Sequence, residues 1–171
     1  MRKVVVLPYS NVWPSKFQEA AKELQGVFGS ELIAIHHIGS TSVVGLSAKP
    51  IIDIMPVVKE IAKIDSFHDA MQELGYEAKG ENGIAGRRYF QKGGDDRTHH
   101  VHVYEEESPE IGRHLAFRDY LRAHPDMAEK YGELKEELAM RYPSDIAAYI
   151  GGKERLALEI EREALEWVRK E

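Results

Sequence analysis

The stretch IHHIGSTSVVGLSAKPIIDI, residues 35–54, decides the fold. It overlaps one β-branched segment, 32–35, and contains another, 51–54, and both are typical of strands. Residues 39–46 between them are mostly small and predict a turn or a short helix. A glycine–serine step after a strand lets a phosphate approach the backbone, because glycine has no Cβ and serine adds a hydroxyl donor. Asp53 on the following strand can hold a divalent metal that bridges phosphate oxygens.

The rest of the chain alternates strands with helices and then continues as helices alone. The predicted elements before residue 108 are helix 14–28, strands 32–35 and 51–54, helix 59–74, and strands 87–92 and 98–104. The sequence GGDD at 93–96 predicts a hairpin between the last two strands. Ser108 is a typical N-cap, and Pro125 and Pro143 separate three C-terminal helices. We therefore expect an α+β fold with a mixed β-sheet, flanking helices and an all-helical C-terminal half, in one domain spanning residues 1–171.

Net charge, cysteine content and the length of apolar runs limit the classes of protein to which this chain can belong. The formal net charge is −6 with a pI near 5.8, so no overall positive field favours nucleic acid or a membrane surface. The absence of cysteine excludes disulfides and thiolate chemistry. The N-terminal apolar run, residues 4–7, is too short for a signal peptide, and no segment approaches the roughly 18 apolar residues of a membrane span. We expect a cytoplasmic protein that binds neither nucleic acid nor membranes.

A second group of polar residues lies on the strand predicted at 98–104. Alternate residues of a strand share a face, so His100 and His102 point together while Val101 and Val103 face the core. With Asp53, these histidines form a predicted catalytic and metal-binding set for a divalent metal such as magnesium, manganese or zinc. Two imidazoles and one carboxylate favour zinc, manganese, iron or nickel over magnesium. One residue of the pair 36–37 is also predicted to lie within reach. The alternative is that the histidines are hydrogen-bonded polar groups on a half-buried strand.

Several cations are predicted to face inward from the helical half. His114, Arg118 and Arg122 share one helix face, and both Lys135 and Lys153 fall on largely apolar stripes. A lysine in such a stripe either extends to water or meets an anion. The predicted phosphate-binding residues are Gly39, Ser40, Thr41, Lys49, Arg118, Lys135, Tyr149 and Lys153. The alternative, that cations such as Arg118 and Lys153 neutralise nearby carboxylates, is open on the sequence alone.

The segment HHIGSTSVVGLSAKPIIDI closely resembles the signature of the GrpB (UPF0157-like) family. Further matching pieces are THHVHV at 98–103, RHLAFRDYLR at 113–122, Leu134-Lys135, Tyr149 and Lys153. The resemblance covers nearly the whole chain and implies a minimal nucleotidyltransferase-type fold, without supplying a substrate. One departure is visible, because many enzymes of that superfamily carry a second carboxylate two residues after the first, where this chain has Met55. Methionine does not bind a hard magnesium ion.

Three functions are therefore compatible with the sequence. The first is a metal-dependent nucleotidyl- or phosphoryl-transferase-like activity on a small phosphorylated molecule, with Asp53, His100 and His102 as its catalytic residues. The second is a non-catalytic module of the same fold that binds a nucleotide or another anion, which Met55 favours. The third is a metal-dependent hydrolase centred on the histidines and Asp53. The expected partner in each case is a small molecule.

Overall fold

A computed structural model describes residues 2–170 as a five-stranded sheet with helices on both faces. The strands are β1 Leu32–Ile38, β2 Ile52–Val58, β3 Tyr76–Ala78, β4 Arg88–Lys92 and β5 His99–Glu105. The α-helices are α1 Val12–Phe28, α2 His68–Glu73, α3 Pro109–Ala123, α4 Pro125–Arg141 and α5 Ile146–Lys170. Short 3-10 helices occupy Gly29–Glu31, Ser40–Ser42 and Ile61–Phe67. Within residues 2–170, none of the helices has the length and apolar character needed to cross a membrane.

The sheet is mixed and has the strand order β1-β2-β5-β4-β3. Strands β2 and β5 are parallel neighbours at its centre, while the other three pairs are antiparallel. In this register Asp53 lies beside Ile38 on one side and His100 on the other. The predicted α+β fold with a mixed sheet and a helical C-terminal part is confirmed.

The two faces of the sheet have different partners because side chains alternate along each strand. The face that carries Ile54, Val101 and Val103 packs against α1 and α2 in the largest apolar cluster of the protein. The opposite face carries Asp53, His100, His102 and a smaller apolar cluster below α3 that includes Met55 and Tyr104. The predicted separation of valines and histidines on β5 is therefore confirmed.

Both early strands are longer than the sequence patterns predicted. β1 continues through the two histidines to Ile38 because their backbones pair with β2. β2 continues past Pro56 to Val58, beyond the predicted end at residue 54. Pro56 has no N–H to donate, and the parallel pairing with β5 accordingly extends up to Ile54 and resumes at Val57.

The helix predicted at 59–74 is wrong over its first half. That region forms the 3-10 helix Ile61–Phe67, in which the Ser66 hydroxyl donates to the Lys63 carbonyl at 2.7 Å, a local bond that competes with α-helical pairing. Only α2 follows, and the chain then turns at Gly75 as predicted, with φ of 94°. Strand β3 was not predicted, because its three residues are too few to show a periodic pattern.

The predicted C-terminal helices are confirmed, and their ends are those that proline and serine favour. The Ser108 hydroxyl accepts a hydrogen bond from the Glu110 backbone N–H at 3.3 Å, and α4 begins at Pro125. Helix α3 contacts the β1–β2 connection through two arginines. Arg118 donates to the His37 carbonyl at 3.3 Å, and Arg122 donates to the Ser42 carbonyl at 2.9 Å. These bonds hold both ends of the glycine–serine turn against the helical half.

Gly39 is required at the start of that turn for two separate reasons. Its φ of 72° lies in the left-handed region that favours glycine. A Cβ at this position would lie 2.6 Å from Asp53 Oδ2, which is closer than non-bonded atoms tolerate. The glycine therefore lets the turn pass directly over the Asp53 carboxylate.

Replacing Gly39 with alanine is expected to destabilise the protein by about 2 kcal/mol or more, because the backbone is strained and Asp53 must move. Gly26→Ala is the matched control. Gly26 is exposed in α1, and a Cβ added there would meet no other atom within 4 Å, so alanine should add up to about 1 kcal/mol of stability. Urea denaturation of both variants measures the difference. Equal stability of Gly39→Ala and the unmodified protein would show that the turn does not lie tightly over Asp53.

Candidate functional site

Three side chains from the two central strands converge at one end of the sheet. His102 Nε2 lies 3.1 Å from Asp53 Oδ1, and His100 Nδ1 lies 3.5 Å from the same oxygen. One nitrogen from each histidine and one oxygen of Asp53 lie within 4.8 Å of one another, which fits a single divalent metal. The parallel register of β2 and β5 produces this cluster by placing Asp53 beside His100.

The two imidazoles differ in their other contacts. His100 Nε2 is buried and has no hydrogen-bond partner among the described residues, so this ring still has an unused nitrogen. His102 Nδ1 lies 3.2 Å from Arg87 Nη1, so that ring is bonded at both nitrogens. The Tyr89 ring lies close to both imidazoles, with ring centroids 5.6 Å from His100 and 5.3 Å from His102.

Asp53 is ionised in this setting. Burial raises the pKa of Asp53, but the hydrogen bonds from His100 and His102 outweigh burial, so the pKa lies well below its ordinary value. The carboxylate is therefore available as a negative metal ligand or as a hydrogen-bond acceptor at neutral pH.

A small cavity of about 160 Å³ opens beside Asp53. Its walls come from the glycine–serine turn, the start of β2, strand β5 and helices α4 and α5. It is lined by Ser40, Thr41, Ala48, Lys49, Ile51, Asp53, His100, Lys135, Tyr149 and Lys153. We call it the lysine cavity, after Lys49, Lys135 and Lys153.

No carboxylate lies within 4.0 Å of any of these three ammonium groups in the part of the chain that the structure describes. Instead, each lysine lies over an aromatic ring: Lys49 and Lys153 over Tyr149, at 5.2 and 5.9 Å from its centroid, and Lys135 over Tyr131, at 4.7 Å. Aromatic faces attract cations but do not neutralise them. The alternative of a direct ion pair with a nearby carboxylate is therefore not met by Lys153 among the described residues, although the Asp53 carboxylate lines the same cavity.

Burial and repulsion by neighbouring cations lower the pKa of Lys49 and of Lys135. Burial, followed by the charges of Arg2 and Lys153, lowers the pKa of Lys49 to about 8. Lys135 is only 3% exposed, and burial together with the charges of Lys153 and Lys49 lowers its pKa well below the ordinary value. A bound anion would raise the pKa of both lysines.

A second, larger cavity of about 350 Å³ lies on the other side of Asp53, between the turn, α3 and α5. It shares Ser40, Asp53 and Lys153 with the lysine cavity. Its other lining residues are Gly39, Arg113, His114, Phe117, Tyr131, Ile150, Glu154, Ala157, Leu158 and Glu161. We call it the mixed cavity, because apolar side chains form much of its wall while charged groups also line it.

His114 marks the boundary between the mixed cavity and the histidines of β5. Burial, then the charges of Arg113 and His102, lowers the pKa of His114 to about 3, so its imidazole is neutral. Its Nε2 faces Arg113 Nη2 at 3.2 Å and the Tyr104 hydroxyl at 3.4 Å. The residue is thus fixed by hydrogen bonds next to the mixed cavity.

The structure brings together most residues predicted from the sequence. Ser40 and Gly39 lie beside Asp53, while the Thr41 hydroxyl is paired with His37 Nε2 at 2.9 Å. Arg118 instead lies outside the lining of both cavities. Its guanidinium pairs with Asp119 at 2.8 Å and with the His37 carbonyl, because the helix face meets the turn at Arg118, whereas His114 on the same face lines the mixed cavity.

Neither histidine of β1 joins the metal cluster. His37 lies on the face of the sheet that packs against α1, where its ring stacks on Phe17 with centroids 4.8 Å apart. Burial lowers the pKa of His37 to about 4. His36 points toward Arg118, whose charge contributes to a lowered His36 pKa after the larger effect of burial.

The sequence analysis missed several residues of the site, and only one of them, Tyr89, had a usable signal. Tyr89 lies opposite His102 in the β4–β5 ladder, and strand alternation applied to β4 would have placed it there. Phe117 and Tyr131 come from different helices, so only packing brings them to the mixed cavity. Met55 is fully buried with Ile38 and Tyr104, so the position of the missing second carboxylate is part of an apolar cluster.

Comparison with known proteins places this chain among GrpB proteins. A family model described as GrpB protein matches residues 3–163. The UPF0157 protein YqkA of Bacillus subtilis (strain 168) is 52% identical over 166 residues, which cover 97% of this chain and 48% of YqkA. The chain therefore spans about half the length of that relative. The crystal structure of conserved protein GrpB from Enterococcus faecalis matches with a TM-score of 0.93 at 44% identity, over 96% of this chain and 99% of that one.

A more distant relative is named as an enzyme. Dephospho-CoA kinase of Mycolicibacterium paratuberculosis is 25% identical over 189 residues, which cover 96% of this chain and 46% of the kinase. The family match and the Enterococcus faecalis structure confirm the predicted family resemblance.

Replacing Lys135 with methionine is expected to stabilise the protein by roughly 1–2 kcal/mol, because it removes a buried charge that has no carboxylate partner and keeps a side chain of similar length. Lys130→Met is the matched control, since Lys130 is an exposed residue of the same helix and its replacement should stay within about 0.5 kcal/mol. Thermal and urea unfolding measure both. Marked destabilisation of Lys135→Met alone would show that the ammonium group is satisfied by its surroundings.

Proposed function

The chain belongs to the GrpB family, and from that premise we propose that it is a metal-dependent nucleotidyl- or phosphoryl-transferase-like protein. It acts on a small phosphorylated molecule whose phosphates bind in the lysine cavity. The metal binds next to that cavity, at Asp53. The nucleotidyltransferase-type fold that the family resemblance implies, together with the cluster of Asp53, His100 and His102, supports this proposal.

One observation carries the proposal. Lys49, Lys135 and Lys153 surround a small cavity without a carboxylate partner among the described residues. Holding like charges together in a partly dry site costs stability, so a protein that only needed to fold would gain by losing one of them. A polyphosphate supplies the missing negative charges and several acceptor oxygens for lysine N–H groups.

The residues around the cavity have separate roles in this proposal. Lys49 and Lys153 approach the phosphates from the strand side and the helix side, while Lys135 binds them from the buried wall. Ser40 offers a hydroxyl donor where Gly39 leaves room for a phosphate oxygen. The metal would be held in the cluster of Asp53, His100 and His102, where it would neutralise charge on phosphate oxygens as the reacting bond breaks. No step that requires a second carboxylate is proposed, since Met55 occupies its position.

The mixed cavity would bind either the organic part of the ligand or the molecule that accepts the phosphoryl or nucleotidyl group. Its aromatic residues, Phe117 and Tyr131, suit a flat ring such as a nucleobase. A nucleotide is therefore the favoured ligand class, and dephospho-CoA joins the compounds to be tested because a related enzyme carries that name. The small volume of the lysine cavity favours a small molecule over nucleic acid, and a cytoplasmic location, where nucleotides are abundant, is part of the same proposal.

Two alternative functions have specific support. The buried Met55 favours a module that binds the same ligand without transferring any group. The paired imidazoles around an ionised aspartate favour a metal-dependent hydrolase, in which a metal-bound water would be the nucleophile. Both alternatives retain the lysine cavity as the binding site.

Lys49→Met and Lys153→Met are each expected to weaken binding of inorganic triphosphate and of ATP at least about 10-fold, because each removes a charge-assisted contact. Isothermal titration calorimetry measures both ligands with magnesium and with chelator. Lys130→Met should bind like the unmodified protein. Failure of the unmodified protein to bind any polyphosphate or nucleotide, with or without metal, would contradict the proposed site.

Asp53→Asn is expected to abolish the magnesium-dependent part of nucleotide binding and all turnover, while the lysine-dependent part remains. Product analysis after incubation with ATP, magnesium or manganese, and a small-metabolite fraction distinguishes the three functions. A labelled adenylyl or phosphoryl group on a metabolite supports transfer. Release of products to water alone supports the hydrolase, and chelator-insensitive binding without products supports the binding module.

A further inference from the structure

Arg87 is a buried arginine at the start of β4 whose contacts fix the state of His102. It is 7% exposed. Its Nε donates to the Glu81 carbonyl at 3.1 Å, and its Nη2 donates to the Asn82 carbonyl at 2.7 Å. Two backbone bonds from the preceding loop therefore hold the guanidinium in place. The remaining Nη1 faces His102 Nδ1 at 3.2 Å.

This contact has only one chemically sensible direction. A guanidinium has five N–H donors and no acceptor, so Arg87 donates and His102 Nδ1 accepts. The ring proton of His102 is then on Nε2, which lies 3.1 Å from Asp53 Oδ1 and donates to it. A directed chain of hydrogen bonds runs from Arg87 through His102 to Asp53.

That direction conflicts with metal binding by His102. A nitrogen that binds a metal needs its lone pair, and Nε2, the nitrogen closest to Asp53, carries the proton. Histidines that bind metals usually donate their second N–H to a carboxylate or carbonyl, whereas here the second nitrogen meets a cation. His100 has no such restriction, because its Nε2 is unpaired among the described residues and its Nδ1 faces Asp53.

We propose that His102 is a positioning residue that holds Asp53 Oδ1 through Nε2–H, that Arg87 sets its tautomer, and that the metal of this site binds to Asp53 and His100 alone. The sequence-based assignment of His102 as a metal ligand is revised accordingly. A site with two protein ligands leaves several coordination positions for phosphate oxygens and water, as magnesium and manganese prefer. The metal would then arrive with the phosphorylated ligand and not as tightly bound zinc.

The direct test is the tautomer of His102 in the unmodified protein, read from the ring nitrogen signals of ¹⁵N-histidine-labelled protein by NMR spectroscopy. The proposal predicts a protonated Nε2 on His102, before and after zinc is added as a diamagnetic probe, while zinc shifts the ring nitrogens of His100. Loss of the His102 Nε2 proton on zinc addition, or a protonated Nδ1 without zinc, would overturn it.

Variants give a second test, which does not depend on assigning the NMR signals of His102. His100→Gln is expected to weaken zinc binding at least about 10-fold, whereas His102→Gln, whose amide can still donate to Asp53, should change it less than about 3-fold. Equal losses in the two variants would contradict the two-ligand site. Calorimetric titration with zinc measures both.

Arg87→Met should release His102 from its fixed tautomer, so that zinc then shifts the His102 ring nitrogens and binds more tightly. Arg88→Met is the matched control, because Arg88 is the next residue but pairs with Asp65, at 2.8 Å, away from the site. Zinc binding and the His102 signals should be unchanged in that control. Unchanged His102 signals with zinc in a folded Arg87→Met protein would show that Arg87 does not set the tautomer.

Discussion

Mutual repulsion among three lysines around one small cavity is the physical constraint on which this site depends. Lys49, Lys135 and Lys153 reach the cavity from three different segments, the connection before β2 and helices α4 and α5. Burial and like charge lower the pKa of Lys49 and Lys135, and each of the three ammonium groups lies over an aromatic ring. The energy that opposes this arrangement must be offset elsewhere, and the apolar clusters on both sides of the site provide that stabilisation.

Among the described residues that line the lysine cavity, Asp53 is the acidic one. It lies between the lysine cavity and the mixed cavity, so it can act on a ligand that extends across both. The turn at Gly39 covers one side of its carboxylate, and the imidazoles of β5 cover another. Arginines from α3 hold the turn from outside through backbone carbonyls. The glycine, the histidines and the arginines thus support one carboxylate, although they come from separate parts of the sequence.

Sequence patterns were sufficient for much of the fold but not for the site. Strand alternation placed the β5 valines in the core, and serine and proline marked the start of α3. Patterns failed where tertiary pairing or local bonding decided the structure, as at Pro56 and in the 3-10 helix Ile61–Phe67. The prediction that residues 1–171 form one domain stays a prediction.

Helical spacing correctly grouped Arg118 with its neighbours on one face, but spacing does not say what that face meets. Arg118 pairs with Asp119 and a backbone carbonyl. Similarly, the shared face of the β5 histidines indicated equal roles, and only the position of Arg87 distinguishes them. Long-range contacts of charged side chains have no periodic signature.

If the lysine cavity binds a polyanion, the bound anion must raise the pKa of Lys49. The groups around Lys49 are Arg2, Arg97, Lys153 and Asp53, and together with burial they leave its pKa at about 8. A bound anion favours the protonated ammonium, so triphosphate binding at a pH slightly above 8 must take up protons. Calorimetry at a pH of about 8.5, in two buffers with different ionisation enthalpies, measures this uptake directly. Uptake of a large fraction of one proton, reduced in Lys49→Met, is the expected result; binding without proton uptake, or no binding, would contradict it.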